Sequence, residues 1–258
     1  MPAKNHIDLV VKTLNVLESL AQSEHGKALK EVAAEVGLVK SSVFRILFTL
    51  KQAGYVEQPE ANGVYRLTLK TAGLTRRNSE RMGFVTVARP HLTRLRDELD
   101  ESVALAERRD RSIVLIDVLE TSHPLRLTFH IGDHCPIHAT AMGKAVAAFL
   151  STREVTALLD KSELPQYTQN TNTRVRDLKA DLGRVHKLGY SVNDEETVSG
   201  AVVIGAPIFD SKKSVCGALS VNTPTVRCSA TKKKRLIAAV IDAGNQISAD
   251  LSDIGFVR

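Results

Sequence analysis

The stretch "GLVKSSVFRILFTLKQAGYV" (37–56) decides how the rest of the chain is read. Placed on a helical wheel at about 100° per residue, Val43, Ile46, Leu47 and Leu50 fall in one arc. Ser41, Ser42, Arg45, Thr49 and Gln52 take the opposite arc, and Phe44 and Phe48 lie on a flank beside Lys40 and Lys51. Taken alone, this is an amphipathic helix whose polar face is either solvated or offered to a partner. Its neighbours in the chain separate the two readings.

Upstream, "DLVVKTLNVLESLAQS" (8–23) predicts a helix from Asp8 to Ala21, with Asp8 as N-cap and Val10, Leu14, Leu17 and Ala21 on its apolar face. "GKALKEVAAEVG" (26–37) predicts a shorter one, with Leu29, Val32, Ala33 and Val36 inward and Gly37 as its stop. Downstream, "GYVEQPEANGVYRLTLK" (54–70) changes period from helical to alternating, with turn formers in its middle. Three helices followed by a hairpin is the order of a winged helix-turn-helix. The polar face of residues 40–52 then suits the DNA major groove. Lys40 and Arg45 supply charge for phosphate or guanine, Ser41, Ser42 and Thr49 supply hydroxyls, and Phe44 supplies an apolar contact for a thymine methyl. Phe44 and Phe48 have an alternative use, packing against the second helix or the wing. Asn62 and Arg66 flank the wing tip, where a phosphate or minor-groove contact is expected, and Tyr65 is assigned to the wing core.

Composition agrees. The chain has 258 residues, 25% charged and 43% hydrophobic, with a net charge of +6. Residues 1–77 hold seven lysines and four arginines against seven acids, so +4 of that excess lies in under a third of the chain. This favours a polyanionic partner for the N-terminal part. No apolar run approaches the ~20 residues that span a bilayer, and the N-terminus lacks the pattern of a secretory signal. Three scattered cysteines without CxxC spacing fit reduced thiols in a cytoplasm.

The segment from Leu29 to Leu67 resembles the IclR family of bacterial transcription regulators, with Val39 where members commonly carry proline. "HATAMGKAVAAFL" (138–150), "GYSVNDEETVSGAVVIGAPIFD" (189–210) and "GALSVNTP" (217–224) resemble further motifs of that family in the same order. The resemblance covers nearly the whole chain. It implies an α+β protein with an N-terminal winged helix-turn-helix (1–70), a linker helix (71–89) and a C-terminal GAF-like effector domain with an antiparallel sheet (90–258). It also implies a homodimer, with homotetramers within the family's range, bound to a double-stranded DNA operator and responsive to a small-molecule effector.

The C-terminal part, read on its own, gives the same class. Residues 71–89 lack a convincing core face, and Pro90 sits where a helix can start afresh. "SVALAERR", "SIVLIDVLE" and "LRLTFHIG" read as strands. Helices follow at about 141–150, 153–161 and 174–187, then three more strands and a helix over about 229–251. An antiparallel sheet with helices is an α+β domain.

At 138–145 a turn runs into a helix whose first amides are unpaired. Ala141, Met142 and Gly143 there are candidates to meet an anionic effector, a carboxylate above all, with Gly143 permitting close approach. The alternative is a plain helix start capped by Thr140 or His138. The resemblance further implies that Asn193, Asp194, Val203, Ser220 and Asn222 line the effector pocket. Asn193, Val203 and Asn222 depart from the commoner Asp, Cys and Ser, so the ligand preference is expected to be the chain's own.

Enzyme readings find little support. His130, His134, Cys135 and His138 in "HIGDHCPIH" are soft ligands, but the C-x-x-H fragment lacks a matching second half. Cys135 and His138 lack a recognisable third group or oxyanion site. The expectation is therefore a regulator, a repressor, without cofactor, metal or catalytic residue. Its alternative is a small-molecule-binding or catalytic domain carrying an N-terminal protein-interaction module.

Overall fold

Helix α1 (Asp8–Ala21), α2 (Leu29–Glu35) and α3 (Lys40–Gln52) pack around Val16, Leu20, Val32, Val43, Ile46, Leu47 and Leu50, all buried. The computed structural model describes residues 7–23, 25–59, 63–71, 83–109, 112–159 and 164–258. Its chain divides into two units, Met1–Arg81 and Met82–Arg258.

In the first unit the arc Val43, Ile46, Leu47 and Leu50 is the buried side of α3, as its spacing requires. Gly37 stops α2 in the left-handed conformation, φ 65°. Strands β1 (Val56–Glu57) and β2 (Arg66–Leu67) pair antiparallel, Val56 opposite Leu67, and Lys27 bridges Tyr65 to extend the wing. Tyr65 is buried in the wing core.

Helix α1 differs from its expected face. Val16, Ser19 and Leu20 are its buried residues, whereas Val10 and Leu14 are 52% and 51% exposed. The helix carries two apolar stripes, and periodicity does not say which one the core takes. Its N-cap is Ile7 rather than Asp8, which is the first helical residue and pairs with Lys12 at 2.5 Å.

The second unit is built on a five-stranded antiparallel sheet, order β4-β3-β7-β6-β5, comprising β3 (Ser102–Arg109), β4 (Ser112–Leu119), β5 (Ser191–Asp194), β6 (Ala201–Phe209) and β7 (Val215–Pro224). Helices α4 (Gly83–Leu99) and α8 (Ala230–Asp253) pack on one face over Leu92, Leu95, Ile204, Leu219, Leu236 and Ile247. Helices α5 (Ala141–Ala147), α6 (Thr152–Leu159) and α7 (Val175–Leu188) cover the other, over Leu115, Met142, Val146, Leu178 and Ala218. Both faces are therefore apolar, and β6 and β7 read as nearly continuous buried runs.

Two expected elements are revised. Helix α4 is already under way at Gly83, the first described residue after 71, and passes through Pro90 instead of beginning there. Phe84, Ala88, Leu92, Leu95 and Leu99 form one buried stripe across the proline, and burying it outweighs the one hydrogen bond that proline forfeits. The rest of the expected linker, residues 72–82, lies outside the described residues. "LRLTFHIG" (125–132) forms no strand. Regular bonding to β4 begins only at Gly132, whose φ of 100° turns the chain. From there Leu115 N reaches Asp133 O (2.9 Å) and Cys135 N reaches Ile113 O (2.8 Å).

Candidate functional site

In the first unit the outward side of α3 is a continuous polar and aromatic surface. Lys40, Ser41, Ser42, Phe44, Arg45 and Thr49 are all exposed. Among the described residues, the side chains of Lys40, Ser41, Ser42 and Arg45 make no hydrogen bond or ion pair. Thr49 spends its hydroxyl on the Arg45 carbonyl at 2.8 Å. Phe44 and Phe48 stack with centroids 6.4 Å apart and are 50% and 53% exposed. Neither is spent on the core, so Phe48 joins this surface although its sequence position favoured packing. Arg66 is exposed but donates its Nε to the His25 carbonyl (2.9 Å), which turns it back onto its own unit. Asn62 lies outside the described residues.

In the second unit a cavity of about 410 Å³ opens between the sheet, the first turn of α5 and three loops. Strand register explains one wall. Asn193, Val203, Asn222 and Ser102 are direct neighbours across β5, β6, β7 and β3, and alternation points them to one face. Asn193, Val203 and Asn222 line the cavity, as do Ala141 and Met142. The row beneath is Ser191, Gly205, Ser220 and Ala104. Ser220 belongs to it, fully buried under α5, and reaches the cavity only through its bond to Asn222 Oδ1 at 3.3 Å.

Two other expected residues lie off the wall. Asp194 points the opposite way along β5 and pairs with Lys233 of α8 at 2.8 Å. Gly143 does permit a close approach, but of its own chain. A Cβ there would fall within 3.0 Å of the Pro136 carbonyl, Thr140 Oγ1 and Ile137 Cα. Its amide donates to Thr140 Oγ1 at 3.0 Å, which makes Thr140 the helix cap.

Loops supply the walls that the sequence did not announce. Phe129, Cys135, Pro136, Tyr167 and Val198 there, together with Leu115 of β4, give the cavity a mostly apolar lining. "HIGDHCPIH" contributes Asp133, His134, Cys135 and Pro136, so two of its four soft ligands serve as wall. Among the described residues, no three His, Cys, Asp or Glu side chains are placed to share a metal. Burial, and then Asp133, pushes the Cys135 thiol up to about 12, so it stays protonated and a poor nucleophile. His138 is buried, bonds the Pro165 carbonyl at 3.0 Å and stacks on Tyr167, bringing that ring to the mouth.

The polar groups of the wall are largely engaged. Asn193 accepts from Glu196 N and donates to Thr197 Oγ1, each at 2.8 Å, while Asn222 donates to the Ser102 carbonyl at 3.2 Å. No lysine or arginine is among the described lining residues. The nearby buried Lys144 faces away, toward Glu196 at 2.5 Å and Asp181 at 3.3 Å. Burial pushes the Glu196 carboxyl up, and Lys144 works against that rise.

Known proteins match both units. The description "IclR helix-turn-helix domain" fits residues 9–60, and "Bacterial transcriptional regulator IclR C-terminal" fits residues 77–249. The chain is 32% identical to the transcriptional repressor IclR of Escherichia coli K12, covering 96% of this chain and 91% of that one. It is 30% identical to the regulator KdgR of the same organism, covering 95% and 93%. The fold matches the Thermotoga maritima IclR structure with TM-score 0.81 at 23% identity, over 96% of this chain and all of that one. It also matches an IclR homologue from Microbacterium hydrocarbonoxydans complexed with 4-hydroxybenzoate, with TM-score 0.77 at 21% identity, over 95% and 100%. Two family descriptions in the right order, on a helix-turn-helix and a ligand-sized α+β pocket, place this chain in the IclR family of DNA-binding, effector-responsive transcriptional regulators.

Proposed function

We propose that this regulator is a repressor whose winged helix-turn-helix, residues 1–70, reads a near-palindromic operator as a homodimer. A small organic acid bound in the second unit, Met82–Arg258, resets that affinity. The supporting observation is the free outward face of α3. Lys40 and Arg45 stand ready for phosphate or guanine, with Ser41, Ser42 and the Phe44 ring between them and Thr49 one turn beyond Arg45.

The homodimer is supported by the second apolar stripe of α1, where Ile7, Val10 and Leu14 are more than half exposed. A symmetric pair presents two recognition helices to two half-sites. The effector site is assigned to Ala141, Met142, Asn193, Val203 and Asn222, joined by the loop residues around them. An apolar cavity of about 150 Å³ holds benzene, so about 410 Å³ with apolar walls accommodates a ring-bearing or branched acid. The 4-hydroxybenzoate bound by the Microbacterium relative has that form. A protonated Cys135 thiol supports regulation rather than catalysis, and the protein acts in the cytoplasm, where DNA and metabolite meet.

The test is a gel-shift with DNA from upstream of the protein's own gene at moderate salt. Specific binding that a carboxylic acid from a small panel weakens is the expected result. Folded protein without specific binding refutes the reading. Arg45→Ala distinguishes it from a protein-interaction module, which would tolerate that change.

A further inference from the structure

Lys144 is a lysine in an unusual place: its side chain is 2% exposed in the middle of α5. It donates to three elements at once, the Val192 carbonyl of β5 (2.6 Å), Glu196 in the loop after β5 (2.5 Å) and Asp181 of α7 (3.3 Å). We propose that Lys144 is a positioning residue for ligand binding, holding the 193–198 wall of the cavity against α5 through Glu196 without touching the ligand. The proposal rests on reading that cavity as the effector site.

The geometry on both sides of the ion pair supports it. Met142 and Lys144 are two residues apart on a helix, so they point to nearly opposite sides. Met142 lines the cavity and Lys144 turns away. In the loop, Thr197 and Val198 line the cavity, while Glu196 turns back to Lys144. The pair thus spans the rear of two adjacent walls. That loop does not hold its shape for free, since Glu195 sits at φ 60°, left-handed backbone that a non-glycine residue disfavours. Thr168 and Thr171 clasp its outer edge through the Glu195 and Glu196 carbonyls, each at 2.6 Å. Among the described residues, Lys144 is the one cation paired with Glu196 on its inner edge. A buried ion pair adds little net stability, because desolvating both charges offsets their attraction.

Hydrogen–deuterium exchange of the full chain, read by mass spectrometry, tests this without any ligand. Lys144→Met is expected to speed exchange in 193–198 by about tenfold, with β6, β7 and residues 40–56 at wild-type rates. Lys144→Met with Glu196→Gln removes both charges. It is expected to regain the wild-type melting temperature while the loop still exchanges fast, because the tether stays broken. Unchanged exchange in 193–198, or loop protection returning together with the melting temperature, overturns the proposal. If Lys144→Met alone fails to fold, the double variant decides. Since no ligand enters the measurement, its failure leaves the effector reading standing, and failure of the ligand panel leaves this result standing.

Discussion

The hydroxyl of Ser191 donates to the carbonyl of Ala141 across 2.6 Å, fastening the first turn of α5 to the central sheet. Beside it, Gly205 is in such close contact that an added Cβ would lie 3.0 Å from the carbonyl carbon of Ala141. The same turn walls the cavity. Gly205→Ala is therefore expected to displace α5 and cost about 1–3 kcal/mol, as overpacking does. Urea denaturation measures the cost. The effector that weakens operator binding should bind this variant less tightly, while operator binding itself is unchanged.

Arg45 is exposed and, among the described residues, its side chain makes no hydrogen bond or ion pair, so its removal costs the fold little. Arg45→Ala is expected to lower operator affinity and reduce the slope of log affinity against log salt by about one. Fluorescence anisotropy across a salt series reads both quantities, and a thermal melt should match the wild type. A slope that does not change would place Arg45 away from phosphate.

Asp117 is buried on β4 and receives Arg89 of α4 at 3.0 Å. Burial pushes its carboxyl above the usual 3.8, although Arg89 and the Val118 amide pull the other way. A carboxyl raised in the folded state adds stability below its unfolded value and loses it as pH rises through the folded value. Wild type should thus gain stability relative to Asp117→Asn on going from pH 7 to pH 4. Paired urea titrations at the two pH values check the sign.

Burial pushes the thiols of Cys135 and Cys216 up to about 12. Cys228 is only half-buried, and its rise is smaller. A mild thiol reagent at neutral pH should therefore modify Cys228 first, with the other two labelled only on opening. Peptide mapping by mass spectrometry gives the order. Because Cys135 lines the cavity, an effector should slow its labelling further and leave that of Cys216 unchanged.

The recognition helix was legible because its buried arc is wholly aliphatic and its exposed arc is polar apart from Phe44 and Phe48. Helix α1 was not, because it carries two apolar stripes and only packing selects between them. Pro90 misled for a related reason, since local preference marked a helix start where a long buried stripe runs on. In the cavity, Asn193, Val203 and Asn222 could be named through motifs, yet their adjacency is a matter of register between three strands. Ser220 was misplaced by one row of that register, and Asp194 by one step of alternation.

By itself, the sequence determined the order of elements, the helix-turn-helix with its wing, the basic N-terminal third and the family. Those features rest on local periodicity, turn chemistry and composition, which are properties of neighbouring residues. Only the tertiary structure decided which side chains face the cavity, that Cys135 and Tyr167 belong to it, and that Lys144 stands behind it. These depend on contacts between residues distant in the chain, such as Lys144 with Glu196 or Ser191 with Ala141, and burial rather than residue type assigns their roles.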